Sequence, residues 1–319
     1  MTTYDVSSIG FCVLDILGRP ITRIPPAAQS DNVEEITLTV AGTAGATAVD
    51  CAILGLKTRL VSSVGDDDVG EFLLSKLARY GVDTTEVTRD PEADTSSAII
   101  AVQPDGARPG FFMAGTADNF LVDPSRYDAA LDAKVVHVGG AGLLPSFDGE
   151  PTAHLLKRAR ELGRITTLDV IDADAETWSG LQSCLPFVDY FVPSIEEARE
   201  MTGRDEPSEI ADLCQAAGAR NVIVTLGGDG AYVKPASGAP FVVAAHDIRV
   251  VDTTGCGDGF TAGVIVGLAK GWPLEKSVRF ASAVGAKIAL GLGSLGKLEN
   301  LDDTLDTMRS VPLKAVAAQ

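Results

Sequence analysis

Residues 252 to 263 read Asp-Thr-Thr-Gly-Cys-Gly-Asp-Gly-Phe-Thr-Ala-Gly, packing four glycines and two aspartates into twelve positions. A β-branched run (Ile248, Val250, Val251) precedes them and an apolar run (Val264, Ile265, Val266, Leu268) follows. This spacing predicts a strand ending near Val251 and a helix starting near Gly257. The backbone N–H groups of Gly255, Cys256 and Gly257 would then face outward from a helix N-terminus without intrahelical partners. Small side chains let an anion approach them, and the helix dipole favours negative charge there. Asp258 falls in the first turn, beside that anion site. A carboxylate next to bound phosphate is unfavourable unless it has a task. The task its chemistry offers is to take a proton from a hydroxyl attacking the phosphate.

Other segments combine glycines with polar groups. Asp15 follows the first apolar run, where the carboxyl end of a parallel strand would aim it into the crevice that binds ligands in α/β sheets. Ser194 and Glu197 have the spacing of a capping box. Thr225-Leu226-Gly227-Gly228-Asp229-Gly230 follows a strand and suits a tight turn. Gly291-Leu292-Gly293-Ser294-Leu295-Gly296-Lys297 matches both Gly-x-Gly-x-x-Gly and Gly-x-x-x-x-Gly-Lys, but an Ala-rich helix precedes it and Leu298 follows Lys297. A dinucleotide fingerprint needs a preceding strand and a P-loop needs Ser or Thr after Lys, so neither reading holds. His137, His154 and His246 are isolated, without zinc-like spacing. His137 lies in an apolar strand and reads as a satisfied interior residue. No nucleophile elbow accompanies a Ser-His-Asp arrangement.

These groups must be carried by alternating strands and helices, the pattern of a parallel sheet covered on both faces. Strands are expected over Val6–Leu14, Thr58–Val64, Val135–Val138, Ile165–Val170, Tyr190–Val192, Val222–Thr225 and Ala231–Val233. Helices are expected over Ala44–Leu54, Gly70–Tyr80, Thr152–Leu162, Ile195–Thr202, Pro207–Ala217, Gly257–Ala269 and Leu274–Ala289. Two stretches lack helical period: Arg19–Val40, and Thr95–Met113 with a turn at Pro104-Asp105-Gly106. Together they suit a small β-sheet standing off the main body as a lid. The Ala-rich tail Lys314–Gln319 reads as frayed.

The chain of 319 residues is 45% hydrophobic and 22% charged, values of a globular protein. Its 26 basic and 44 acidic residues give a net charge of −18. Such a surface repels nucleic acid and anionic membrane, and neither is expected as a partner. It repels ATP at long range as well, so a phosphate site must rely on local N–H donors and a divalent cation. Cys12, Cys51, Cys184, Cys214 and Cys256 are scattered and odd in number, as buried thiols in a reducing, cytoplasmic setting would be. The N-terminus has no signal-peptide character, and no apolar run reaches the length of a membrane span.

The 252–258 stretch resembles the signature of the ribokinase-like (PfkB) carbohydrate kinases, usually Asp-Thr-Thr-Gly-Ala-Gly-Asp, with Cys256 for the common Ala. Thr43–Gly70 resembles that family's N-terminal signature, closing on Gly65-Asp66-Asp67-Asp68-Val69-Gly70, although Ala46 replaces the Asn that bonds sugar hydroxyls. The resemblance spans roughly Tyr4 to Leu298 with six landmarks in order. It implies an α/β ribokinase-like three-layer sandwich formed by one domain over residues 1–319, with a mostly parallel central sheet, helices on both faces and a β lid over 19–40 and 95–113. It also implies transfer of the γ-phosphoryl group of ATP to a sugar-like hydroxyl. Asp258 would be the base, with the N–H groups of 255–257 as the anion hole.

By the same resemblance Asp15, Gly42 and Thr43 contact the substrate. Ser194 (Asn in the usual motif), Thr225, Gly227, Gly230 and Ser282 border ATP. Glu197 holds Mg²⁺ through water, and Asp252 and Thr254 border a monovalent cation such as K⁺. A homodimer through the lid follows in many members. Ribokinase-type members carry a Glu where Gly139-Gly140-Ala141 stands here, so the acceptor stays open among fructose-like sugars, keto-acid sugars and nucleosides. A non-catalytic sugar- or nucleotide-binding regulator is the rival reading. An NAD-linked dehydrogenase is opposed by the lack of Gly-x-Gly-x-x-Gly after the first strand.

Overall fold

The computed structural model describes residues 2–104 and 107–315. The turn expected at Pro104-Asp105-Gly106 and the tail beyond Ala315 fall wholly or partly outside them. An eight-stranded sheet runs in the spatial order Phe241–Val243, Ala231–Lys234, Asn221–Thr225, Tyr190–Phe191, Ile165–Val170, Ala133–Ala141, Tyr4–Gly10 and Thr58–Val61. Ala231–Lys234 pairs antiparallel with both its neighbours, and the other pairs are parallel. The strand Ala133–Ala141 is buried along its length except at Lys134. Such a continuous apolar run fits a strand covered on both faces.

Helices supply the two covers. Gly45–Ile53, Cys256–Ala269 and Leu274–Ala289 pack on one another, and their residues Cys51, Ile265, Phe280 and Ile288 share a core cluster with Val6 and Val135 of the sheet. Glu150–Glu161, Ala175–Cys184, Ile195–Thr202 and Pro207–Ala216 contribute to a second cluster built around Val136, Val138, Leu168 and Phe191. Val135 and Val136 thus belong to opposite faces, as the two-residue period of a strand requires.

Several elements depart from the sequence pattern. The apolar run Val6–Leu14, expected as one strand, is two: Tyr4–Gly10 in the main sheet and Val13–Arg19 in a separate four-stranded sheet. Gly10 has φ 129°, which lets the chain leave one sheet for the other. The second sheet has the order Glu35–Ala41, Val13–Arg19, Ser97–Ala101, Gly110–Met113. Of the span 19–40, then, residues 20–34 are irregular, and the strand beside Glu35–Ala41 comes from upstream. Thr58–Val64 is likewise divided, because Ser63–Gly65 pairs instead with Thr88–Asp90.

The β-branched run Ile248–Val251 is not a strand. The sheet ends at Phe241–Val243, and this run pairs with no strand; Val251 N–H donates to Ala289 O of the helix Leu274–Ala289 at 2.8 Å instead. Ala175–Cys184 and Leu301–Ser310 are helices that periodicity did not announce. Their caps carry the signal: Asp174 accepts from the N–H groups of Glu176 and Thr177, and Asn300 from that of Asp303.

Candidate active site

The helix Cys256–Ala269 begins at Gly255, whose φ of 75° puts it in the left-handed region. A Cβ on Gly255 would lie 2.6 Å from Ser294 Cα, so glycine is required both by backbone angle and by the closeness of the 291–296 loop. Cys256 N–H turns onto Thr253 O at 3.2 Å. Among the described residues the N–H groups of Gly255 and Gly257 carry no hydrogen bond, leaving two of the three expected donors open. Asp252 braces the loop from beneath. Its Oδ1 accepts from Thr254 N and Thr254 Oγ1 at 3.0 and 2.8 Å, and its Oδ2 from Gly293 N at 2.8 Å.

The 291–296 loop, unassigned by its motifs, therefore has a structural task. Ser294 Oγ donates to Val40 O at 2.6 Å and lies 2.6 Å from Thr39 Oγ1. Val40 and Thr39 belong to the second sheet, so one glycine-rich loop ties the anion cradle to that sheet.

Asp258 sits in the first helical turn. It is part-buried, and burial followed by the charge of Glu197 pushes its carboxyl up to about 7. Glu197 is raised as well, chiefly by burial; its Oε2 accepts from Ser194 N at 3.1 Å and Ser194 Oγ at 2.6 Å. The capping box is thus formed, and the same carboxylate still acts on Asp258 through its charge. Asp169 completes an acidic group. It is the penultimate residue of the strand Ile165–Val170, accepts from Thr261 Oγ1 at 3.0 Å, and is raised well above the usual range by burial and then by Glu197 and Asp258. Its place at the carboxyl end of a parallel strand was a readable signal.

Asp15 lies within the strand Val13–Arg19, opposite Thr39 and Ala98, and not at the end of a main-sheet strand. It still belongs to the site: burial and then the Asp258 charge raise it to about 7, while Arg108 pulls it down. Gly42 (φ 82°) and Thr43 sit where the second sheet returns to the main body. A Cβ on Gly42 would come within 2.6 Å of Phe11 O. Thr43 Oγ1 is buried with no hydrogen-bond partner, and Thr43 O lies 3.3 Å from His137 Nε2. His137 also meets Thr167 Oγ1 at 3.0 Å, and burial pushes it down to about 4, so it is neutral and satisfied as expected. Gly139 and Gly140 are explained by crowding, since a Cβ on either would strike the Thr43 or Phe11 backbone and side chain.

A cleft on the other side of the cradle joins Thr225, Gly227, Gly230 and Ser282 with Cys256 and Gly257. Ser194 does not line it but pairs with Thr225 in a parallel bridge. Ser282 Oγ is turned onto Ala244 O at 3.3 Å. Lys314 also lines this cleft. Its N–H donates to Ala245 O at 2.8 Å and its Nζ to Gly228 O at 2.9 Å, so the expected fraying does not begin at this residue.

Two further residues escaped the motif reading. Arg108 Nη1 donates to Thr254 Oγ1 at 3.0 Å, reaching the cradle from the far end of the second sheet. It is the one basic residue of segment 95–113, which was its signal. Asp50 is fully buried in the helix Gly45–Ile53, with both carboxylate oxygens unpartnered among the described residues. It packs against Gly259, and burial followed by the Asp258 charge raises it well above the usual range. No sequence signal separates it from a surface aspartate.

Phosphate-sized anion donors, a raised carboxylate and an adjoining apolar cleft define a phosphotransferase-like site. Comparison with known proteins agrees. The fold matches the ribokinase of Arabidopsis thaliana, a structure complexed with ribose and ATP, at TM-score 0.81 and 21% identity over 97% of this chain and 99% of that one. A putative ribokinase II of E. coli in complex with ATP and Mg²⁺ matches at TM-score 0.81 and 21% identity, covering 96% and 99% of the two chains. The 2-dehydro-3-deoxygluconokinase of Bacillus subtilis is 28% identical over 90% of this chain and 94% of its own length. An ATP-dependent 6-phosphofructokinase of Thermoanaerobacterium thermosaccharolyticum is 27% identical over 97% and 94%. Residues 5–300 match the pfkB family carbohydrate kinase model. The chain belongs to the pfkB family of carbohydrate kinases and has the ribokinase-like fold.

Proposed function

We propose that this kinase transfers the γ-phosphoryl group of ATP to a hydroxyl of a sugar or sugar-like acceptor, with Asp258 as the proton acceptor. One observation carries the reading: a carboxylate raised to about 7 stands in the first turn of a helix whose Gly255 and Gly257 N–H groups are open. A base whose proton affinity lies near neutrality accepts a proton from an attacking hydroxyl and releases it again. The open N–H groups, joined by Cys256 N–H when it leaves Thr253 O, take up charge on the transferring phosphoryl oxygens. Asp15, Gly42 and Thr43 hold the acceptor from the side of the second sheet, which serves as a lid. Thr225, Gly227, Gly230 and Ser282 border the nucleotide, and Ser194 positions Thr225.

Glu197 raises Asp258, and both raise Asp169, which marks an excess of negative charge that a divalent cation relieves. When bound, Mg²⁺ neutralises charge on the nucleotide phosphates; Glu197 would hold it through water. Asp252 already accepts three hydrogen bonds from Thr254 and Gly293. A monovalent cation beside it and Thr254 would therefore rest largely on backbone carbonyls.

Arg108 favours acceptors that carry an anionic group. It is the cation whose charge acts on Asp15, in a site otherwise supplied with carboxylates. The relative named a 6-phosphofructokinase takes, by its name, a sugar already bearing phosphate. The lid also offers a dimer surface. Ile36, Leu38, Ile99, Phe111 and Met113 are exposed, and the strand registers put them on one face. An apolar face of this kind marks an association site.

The test is an ADP-release screen with Mg²⁺, with and without K⁺, across neutral sugars, sugar acids, phosphosugars and nucleosides. Turnover is expected with a sugar-like acceptor, most strongly with an anionic one. Binding of acceptors without ADP release from any would support the non-catalytic regulator instead.

A further inference from the structure

The family match ends at residue 300, yet the chain continues as the helix Leu301–Ser310 and then as an extended segment. That segment is bound to the body at consecutive points. His246 Nδ1 lies 3.0 Å from Val311 O, Asp247 N–H donates to Pro312 O at 2.8 Å, and Lys314 N–H donates to Ala245 O at 2.8 Å. His246 and Leu313 form an antiparallel bridge. Ala245 and His246 are themselves walls of the cleft that holds Thr225, Gly227 and Cys256. The segment is therefore pinned against these wall residues by one isolated antiparallel bridge and flanking hydrogen bonds, and it delivers Lys314 to the cleft rim.

The charge balance there is specific. Among the described residues the cleft lining contains no carboxylate, and Lys314 is its one lysine or arginine. Its ammonium is exposed, and Gly228 O takes one of its three N–H donors, leaving the others for a ligand. Gly228 lies in the glycine turn after the strand Asn221–Thr225, across the cleft from the cradle at Cys256 and Gly257. Apolar Ile248, Val250, Ala286 and Ala289 line the rest, a surface suited to a base and unsuited to phosphate. In a chain of net charge −18, an anionic nucleotide gains more from a fixed cation at this point than from the surrounding surface.

We infer that residues 311–314 form a wall of the nucleotide cleft and that the Lys314 ammonium pairs with a phosphate of the bound nucleotide. The inference rests on the kinase reading above, and binding without acceptor separates the two. Calorimetry would measure MgADP and adenosine binding to the parent chain, to Lys314→Met, to Lys314→Arg and to a chain ended at Ser310. One charge-assisted hydrogen bond corresponds to a loss of roughly 10- to 100-fold. Lys314→Met should weaken MgADP by that factor and leave adenosine within about twofold. Lys314→Arg should restore most of the MgADP affinity, and the shortened chain should weaken both ligands. Because Lys314 is exposed, its replacement leaves the core intact even if the shortened chain folds poorly. Unchanged MgADP binding in Lys314→Met, or equal losses for MgADP and adenosine, would overturn the phosphate pairing. Failure of the parent chain to bind MgADP at all would overturn the kinase reading, and this inference with it.

Discussion

Replacing Asp258 by Asn keeps the shape of the side chain and removes its ability to accept a proton. A general base contributes on the order of 10²–10⁴ in rate, so kcat should fall by that factor, about 3 to 5 kcal/mol in barrier height. MgADP affinity should change little, since the Gly255 and Gly257 N–H groups do not depend on the carboxylate. The parent enzyme should lose kcat/KM tenfold per pH unit below about 7, the value to which both Asp258 and Asp15 are raised. These two interact, so the limb belongs to the pair.

The same substitution has a stability signature. A group raised in the folded state from 3.8 to about 7 contributes stability that is complete below its ordinary value and is lost as pH rises through 7. Three units correspond to about 4 kcal/mol, and screening at the cleft reduces this to about 2 kcal/mol. Asp258→Asn should therefore match the parent near pH 4 and exceed it near pH 8. A coupled ADP assay from pH 5.5 to 9 and thermal unfolding at both ends test the two halves. Turnover within tenfold of the parent, or MgADP binding lost in step with turnover, would refute the proton-acceptor role.

Four other expectations follow from particular contacts. Asp50→Asn should gain stability over the parent as pH rises from 5 to 8, by about 1.4 kcal/mol for each pH unit over which the buried carboxyl keeps its proton while that of the unfolded chain has lost it; urea unfolding at both pH values checks this, and an equal loss at both would show that the carboxyl is bonded. Arg108→Ala should raise KM for an anionic acceptor roughly 10- to 100-fold, leave a neutral one nearly unchanged, and move the acid limb to higher pH, because Arg108 pulls Asp15 down. Gly255→Ala must adopt φ 75° and meet Ser294, so a loss of about 1–3 kcal/mol by calorimetry and at least about tenfold in kcat is expected. Phe111→Asp, placed on the exposed lid face, should shift light-scattering mass from dimer to monomer while the monomer stays folded; a parent chain already monomeric at high concentration would remove the dimer proposal.

Much of the site was legible because its requirements are local. A helix N-terminus with small residues and one acid is written in consecutive positions, so Gly255, Gly257 and Asp258 could be picked out without a fold. The Ser194–Glu197 box and the Thr225–Gly230 turn are local in the same way. Asp15 was found for a partly mistaken reason. It reaches the site on a strand of the second sheet, because Gly10 turns the chain out of the first one. Arg108 and Lys314 were missed because their partners, Thr254 and Gly228, are 146 and 86 residues away. The task of the 291–296 loop stayed hidden for a related reason, although both of its motif readings failed on the sequence alone. Its glycines serve close packing against Gly255 and the bonds from Ser294 to the lid strand, and no phosphate motif.

The sequence by itself determined the glycine-rich helix start with one acid at 252–258, the alternation that yields a covered parallel sheet, and a net charge of −18. These depend on residue type, on neighbours within a few positions, and on sums over the chain. Only the tertiary structure decided which carboxylates stand close enough to raise Asp258 and Asp169, which cation faces Asp15, and that Lys314 reaches the cleft. Those outcomes depend on distances between segments far apart in the chain, and burial makes such distances decisive: charges that water would screen on an extended chain act strongly on one another once the helices cover the sheet.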